Sequence, residues 1–195
     1  MPSRRNRSVL TGLAALVAAG LVAGGFALTA QQRTDDPVLA SSVPTARATA
    51  DGVVVIDLRG PDLPGASVLD RCDTSSRADV ARYDTTALGD VVLQCGTNSQ
   101  GYEHIRVRHT ADWQDVLGGR GDRDWDDAML TAVQTALTDP RPGFPRDAGD
   151  GKVCYAAAMR FDDDSTPAPD GFVKVIVSRT TDRVITAYPT RTDDC

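Results

Sequence analysis

"GFVKVIVSRTTDRVITAYPT", residues 171 to 190, decides how this chain folds. Its first half alternates with period two: Val173, Val175 and Val177 point one way, and Phe172, Lys174, Ile176 and Ser178 the other. Its second half does the same, with Ile185 and Ala187 on one face and Thr186, Tyr188 and Thr190 on the opposite one. Only Thr180-Thr181-Asp182 separates the two runs, and so short a link makes them an antiparallel hairpin. "KVCYAAAMRF", residues 152 to 161, supplies a third strand ahead of them, and the acidic run "FDDDSTPAPD" (161 to 170) reads as the solvated loop between. With the valines facing the helices, the outer face of this meander carries Lys174, Ser178, Thr186, Tyr188 and Thr190, and Arg179 stands at its edge.

The period changes upstream. From Tyr102 to Leu117 the residues Tyr102, Ile105, Trp113 and Val116 fall in one sector of a 3.6-residue wheel, which predicts an amphipathic helix ended by Gly118-Gly119. A second helix runs from about Asp124 to Leu137, capped by Asp122 or Asp124, with Trp125, Met129, Ala132, Val133 and Ala136 inward. "DPRPGFP" (139 to 145) stops it. "GVVVIDL" (52 to 58) and "DVVLQCG" (90 to 96) are candidate strands, while Arg59 to Asp90 is rich in Gly, Pro, Asp, Ser and Thr and reads as loop with one short helix. The expected fold class is α+β: two helices packed on one face of a small antiparallel sheet, a meander, stabilised by two disulfides.

The chain begins "MPSRRNRS" and continues with 22 uncharged residues, 9 to 30. A basic start, an apolar run and small residues near its end describe a signal peptide, and the same run is long enough to serve as an N-terminal membrane anchor. Residues 1–30 are therefore read as signal or anchor, 31–50 as a flexible linker, and 51–195 as one exported domain, secreted or tethered by residues 9–30 to the extracellular face of the cytoplasmic membrane. Cys72, Cys95, Cys154 and Cys195 all lie in the exported part, and none are in CxxC spacing, so two disulfides are expected rather than a zinc site. Three pairings exist; Cys72 with Cys95 and Cys154 with Cys195 is favoured, because a bridge to the final residue would tie down a fraying end. Setting aside Arg4, Arg5 and Arg7 takes the net charge from -6 to -9, so any polyanion must meet a local basic patch.

Both histidines of the chain, His104 and His109, lie in "GYEHIRVRH" (101 to 109). His109 falls between Ile105 and Trp113 on the wheel and should point to the core margin and the sheet; His104 lies roughly 140° away, nearer Arg108. They need not meet on one face. The plainest reading makes His109 a half-buried helix residue, His104 a surface residue, and Thr186, Tyr188 and Thr190 ordinary strand residues. A spacing of i,i+5 is poor for shared metal ligation, and no metal or other cofactor is expected.

In order along the chain, an H-I-x-x-R-H helix (His104, Ile105, Arg108, His109), a second helix, a proline-bearing break, the "VKVIV" strand and "TAYP" (Thr186, Ala187, Tyr188, Pro189) resembles the bacterial toxin-type ribonucleases of the barnase/EndoU/colicin/RelE-like group. The resemblance covers residues 101–190. It implies metal-independent endonucleolytic cleavage of RNA: a base takes the proton of a ribose 2′-hydroxyl, that oxygen attacks phosphorus, and an acid protonates the departing 5′-oxygen, leaving a 2′,3′-cyclic phosphate. Imidazole suits both proton transfers. The catalytic residues it implies are His109, His104, Thr186 and Tyr188, and the substrate-binding ones Arg108, Lys174, Arg179 and Thr190. RNA is then the substrate and DNA is not a partner; an immunity protein is the expected partner if the domain is a toxin. The alternative is a non-catalytic extracellular binding domain with the same fold.

Overall fold

The computed structural model describes residues 48–49, 52–59, 67–162 and 171–195, within a compact unit spanning Leu39–Cys195. The signal or anchor segment, the linker apart from Ala48 and Thr49, and most of the acidic run 161–170 lie outside the described residues. The elements in chain order are β1 (Ala48–Thr49), β2 (Val53–Ile56), α1 (Ser67–Asp70) with a 3-10 turn at Arg71–Asp73, β3 (Asp79–Thr85), β4 (Gly89–Gln94), α2 (Tyr102–Leu117), α3 (Trp125–Thr138), β5 (Arg146–Asp147), β6 (Lys152–Phe161), β7 (Gly171–Ser178) and β8 (Arg183–Thr190).

The domain is α+β, and its disulfides are Cys72–Cys95 and Cys154–Cys195. The meander β6, β7, β8 is antiparallel, with Lys174 opposite both Ala156 and Tyr188. The sheet as a whole is not a simple antiparallel meander. It is mixed and curled into a half-barrel of order β1-β2-β6-β7-β8-β4-β3, with β2 parallel to β6 and β4 parallel to β8. The added breadth comes partly from β3, in a stretch whose composition reads as loop. Asp79, Arg82 and Asp84 hide its alternation, and a bulge between Asp79 and Ala81 buries Val80 and Ala81 side by side.

A curled sheet needs a filling, and α3 supplies it. Met129, Ala132, Val133 and Ala136 are buried, and so are Asp127, Thr131 and Thr135 on the other sides of the same helix. The buried charge is matched: Arg123 pairs with Asp127, reaches Thr131 Oγ1 at 2.6 Å and donates to the Asp57 carbonyl at 2.9 Å, which ties the loop before α3 to the end of β2.

The position of α2 follows from a gap in the sheet. β4 pairs with β8 only where Val92 faces Arg183, so the next carbonyls along that edge of β8 have no strand beside them. α2 closes the gap: Gly101 N–H donates to Ile185 O at 3.0 Å, and Trp113 Nε1–H to Ala187 O at 3.4 Å. Gly101 sits at φ 81°, and a Cβ there would stand 2.6 Å from Gln94 O, so the sequence needs glycine where the helix enters. The helix ends at Gly118 in the left-handed conformation. Its buried residues are Tyr102, Ile105, Trp113 and Leu117; Val116, expected in that sector, is half-buried.

One parity expectation is overturned. Val177 pairs with Val184 but Ile176 with Thr186, so Ile185 is an extra residue in β8. That bulge puts Val184 in the core, leaves Ile185 half-buried, and keeps Ala187 with the valines. Beyond it Thr186, Tyr188 and Thr190 share the outer face with Ile176, Lys174 and Phe172, as the alternation predicts.

Candidate active site

Because α2 lies along β8, its margin residues meet the outer face of that strand. The His109 ring stacks on Tyr188, centroids 5.1 Å apart and planes 25° from parallel. The His104 ring meets His109 edge-on at 5.8 Å. The two imidazoles thus come together although a wheel separates them, His109 stacking on Tyr188 and His104 meeting the His109 ring.

Each ring is oriented by a group that can only accept a hydrogen bond. His104 Nδ1 lies 2.8 Å from the Asn98 carbonyl, and His109 Nδ1 lies 2.9 Å from Asp112 Oδ2. A carbonyl and an ionised carboxylate accept only, so both Nδ1 atoms carry protons and both Nε2 atoms keep their lone pairs when the rings are neutral. The site therefore presents two imidazole bases beside a phenol. His109 is 20% exposed and Asp112 54%, which leaves the pair open to a ligand. Asp112 is a residue that reading the sequence missed; its spacing of three from His109 on a helix is the signal that could have found it.

The other anticipated residues are placed unevenly. Lys174 is next to Tyr188 by strand register but only 8% exposed. Thr186 is in the adjoining row, opposite Ile176, and its Oγ1 is buried without a hydrogen-bond partner among the described residues. Arg108 is exposed on α2, one turn beyond His104. Thr190 lines an open cleft of about 390 Å³ with Asp112, Asp115, Val116, Arg120, Gly171, Pro189 and Arg191. Arg179 does not join them: it lies in the turn after β7, five residues beyond Lys174, or about 16 Å along an extended chain. Among the cations the cleft adds Arg120 and Arg191, whose spacing in sequence carries no sign of a shared site. Among the described residues, no group of three or more His, Cys, Asp or Glu side chains is placed to hold a metal ion.

Compared with known proteins, the chain matches no family model and no curated sequence. Its two disulfides fit an oxidising compartment, and no helix among the described residues is long and apolar enough to cross a membrane.

A second ionisable cluster lies at the start of α2 and α3. Tyr102 stacks on Trp125 at 6.1 Å and donates its hydroxyl proton to Asp126 Oδ2 at 3.3 Å. Burial raises the Asp126 carboxyl above its ordinary value, with the neighbouring Asp124 acting in the same direction and the hydrogen bonds from Asp127 N–H and Tyr102 opposing it. Burial also raises the Tyr102 phenol. This pair faces the helix junction rather than the cleft and is structural.

Proposed function

We propose that the exported domain is a metal-independent, toxin-like endoribonuclease, secreted or tethered outside the cell, that forms 2′,3′-cyclic phosphate ends. The observation that carries this reading is the contact among His104, His109 and Tyr188, with both imidazoles held through Nδ1 so that Nε2 is available. One Nε2 takes the proton of the 2′-hydroxyl; the other, protonated, returns a proton to the 5′-oxygen. His109 is the principal acid/base group, with Asp112 stabilising its imidazolium, and His104 is the second. The Tyr188 hydroxyl orients the phosphorane oxygens, Thr186, whose own hydroxyl is buried, shapes the strand beside it, and Arg108, Thr190 and, once uncovered, Lys174 bind the phosphate chain. An immunity protein would be the natural inhibitor of such an enzyme.

A second reading has its own support. Asp112 and Asp115 stand in the cleft and Lys174 is buried, which suits a non-catalytic domain whose partner carries positive charge. RNA cleavage in EDTA separates the two: the nuclease reading expects cyclic phosphate ends and a loss of about a hundredfold or more in His109→Ala, on the scale of one general acid or base. Absence of cleavage by folded protein, with its last five residues free as well as bridged, selects the binding domain.

A further inference from the structure

Lys174 is buried on the face of β7 that lies between the end of β8 and the Cys154–Cys195 bridge. β8 ends with Thr190 opposite Phe172, which in turn faces Ala158 on β6. The final residue, Cys195, is bonded to Cys154, four residues back along β6. The path runs about 13 Å along the strands and about 10 Å across two of them, about 16 Å in a straight line, which five extended residues together with the 6.2 Å between the bridged Cα atoms can span. The most direct course crosses β7 between Phe172 and Ile176, the stretch that carries Lys174. A second contact places Asp193 on this face: Arg141 lays its guanidinium on the Phe172 ring, 4.8 Å from the centroid, and meets Asp193 at 3.3 Å. The tail, "RTDDC", carries two aspartates, and Asp193 lies on this face.

We propose that residues 191–195 are an anionic strap, latched by Cys154–Cys195, that covers Lys174 and the neighbouring face of Tyr188, and that reduction of this one disulfide opens the site to a polyanion. The proposal rests on the nuclease reading for its biological sense: the strap is closed in an oxidising exterior and opened by a dithiol protein of a reducing compartment. Cys154 is buried and Cys195 exposed, so the incoming thiolate attacks Cys195 Sγ. Cys154 leaves as thiolate and takes up a proton. The second thiol of the reductant then displaces Cys195 as a free thiol, and the reductant departs as its own disulfide, two electrons having passed to the protein. Cys72–Cys95, with Cys95 1% exposed, holds the 3-10 turn to the end of β4 and is not part of the latch.

The chain has only two lysines, Lys152 and Lys174, which makes the test direct. Exported protein is treated with an acetylating N-hydroxysuccinimide ester in three forms: oxidised, mildly reduced with a dithiol, and as Cys154→Ala/Cys195→Ser. Peptide mass spectrometry reads acetylation of Lys174 against Lys152, whose side chain is 42% exposed. The strap predicts that the Lys174 to Lys152 ratio rises at least tenfold in both opened forms, with faster RNA cleavage. An unchanged ratio in protein that keeps its near-ultraviolet circular dichroism overturns the strap, even if all forms cleave RNA equally. A raised ratio without cleavage in any form upholds the strap and sinks the nuclease reading. If the double variant loses its near-ultraviolet signal, Asp193→Ala with both disulfides intact carries the test: labelling rises severalfold if the strap is held as described and stays level if it is not.

Discussion

The His109 imidazole has one nitrogen committed and one available, and the commitment is local. Asp112 comes from the same helix, so its hydrogen bond with His109 forms as soon as α2 does and needs no long-range packing. Asp112 is a positioning residue on this account. Asp112→Asn should lower kcat of RNA cleavage about tenfold while leaving KM unchanged, whereas a residue that only shapes the cleft would move KM. Asp126 gives a test independent of activity. Its carboxyl is raised in the folded protein, so the native state holds that proton more tightly than the unfolded chain. The resulting stabilisation is fully present below the ordinary carboxylate range and is lost as pH rises through the raised native value. Asp126→Asn should therefore stabilise the protein at pH 7 relative to pH 3, as read by denaturant midpoints at the two values. No difference between the two pH values would mean that the carboxyl is not desolvated.

At the scale of elements, α2 both completes the sheet and presents the histidines. Trp113 joins the two roles, since its indole N–H serves Ala187 O one residue before the tyrosine that His109 stacks on. Trp113→Phe leaves that carbonyl without a donor and opens space in the core. Unfolding free energy should fall by about 1 to 3 kcal/mol, with a weakened His109 to Tyr188 contact visible as altered ring chemical shifts. Both long helices and the β6, β7, β8 meander are legible in the sequence, because each rests on a local period and on Gly or Pro punctuation. β3 is not, because its charges and its bulge erase the alternation. The parallel pairings of β2 with β6 and β4 with β8 are not legible either: they join segments far apart in the chain, and nothing in a single strand's pattern names its neighbour. The same limit explains the site. His104, His109 and Tyr188 could each be picked out as residues, but their meeting depends on α2 lying in a gap of the sheet. The Ile185 bulge shows how one extra residue changes which side chain enters the core.

For the whole molecule, the two disulfides should differ in what they contribute. Closing loops of 23 and 41 residues constrains the unfolded chain by about 3 to 4 kcal/mol each in the loop-entropy model. Removing Cys72–Cys95 should cost close to that, because both ends are fixed in the folded domain. Removing Cys154–Cys195 should cost clearly less, since the native tail is freed as well and its gain in freedom offsets part of the loss. Denaturant titration of the two double variants reads this, and equal losses would contradict a locally detachable tail. With a net charge of -9 beyond the N-terminal arginines, the nuclease account relies on Arg108, Lys174 next to Tyr188 and Arg120 in the cleft to meet a polyanion. The measurement that bears most directly on the central claim is cleavage of a defined RNA in EDTA by Cys154→Ala/Cys195→Ser protein, alone and with His109→Ala added, with the product ends analysed. The account predicts 2′,3′-cyclic phosphate ends and a rate at least about a hundredfold lower when His109 is removed. Folded protein that leaves the RNA intact, or that cuts it equally well without His109, would contradict it.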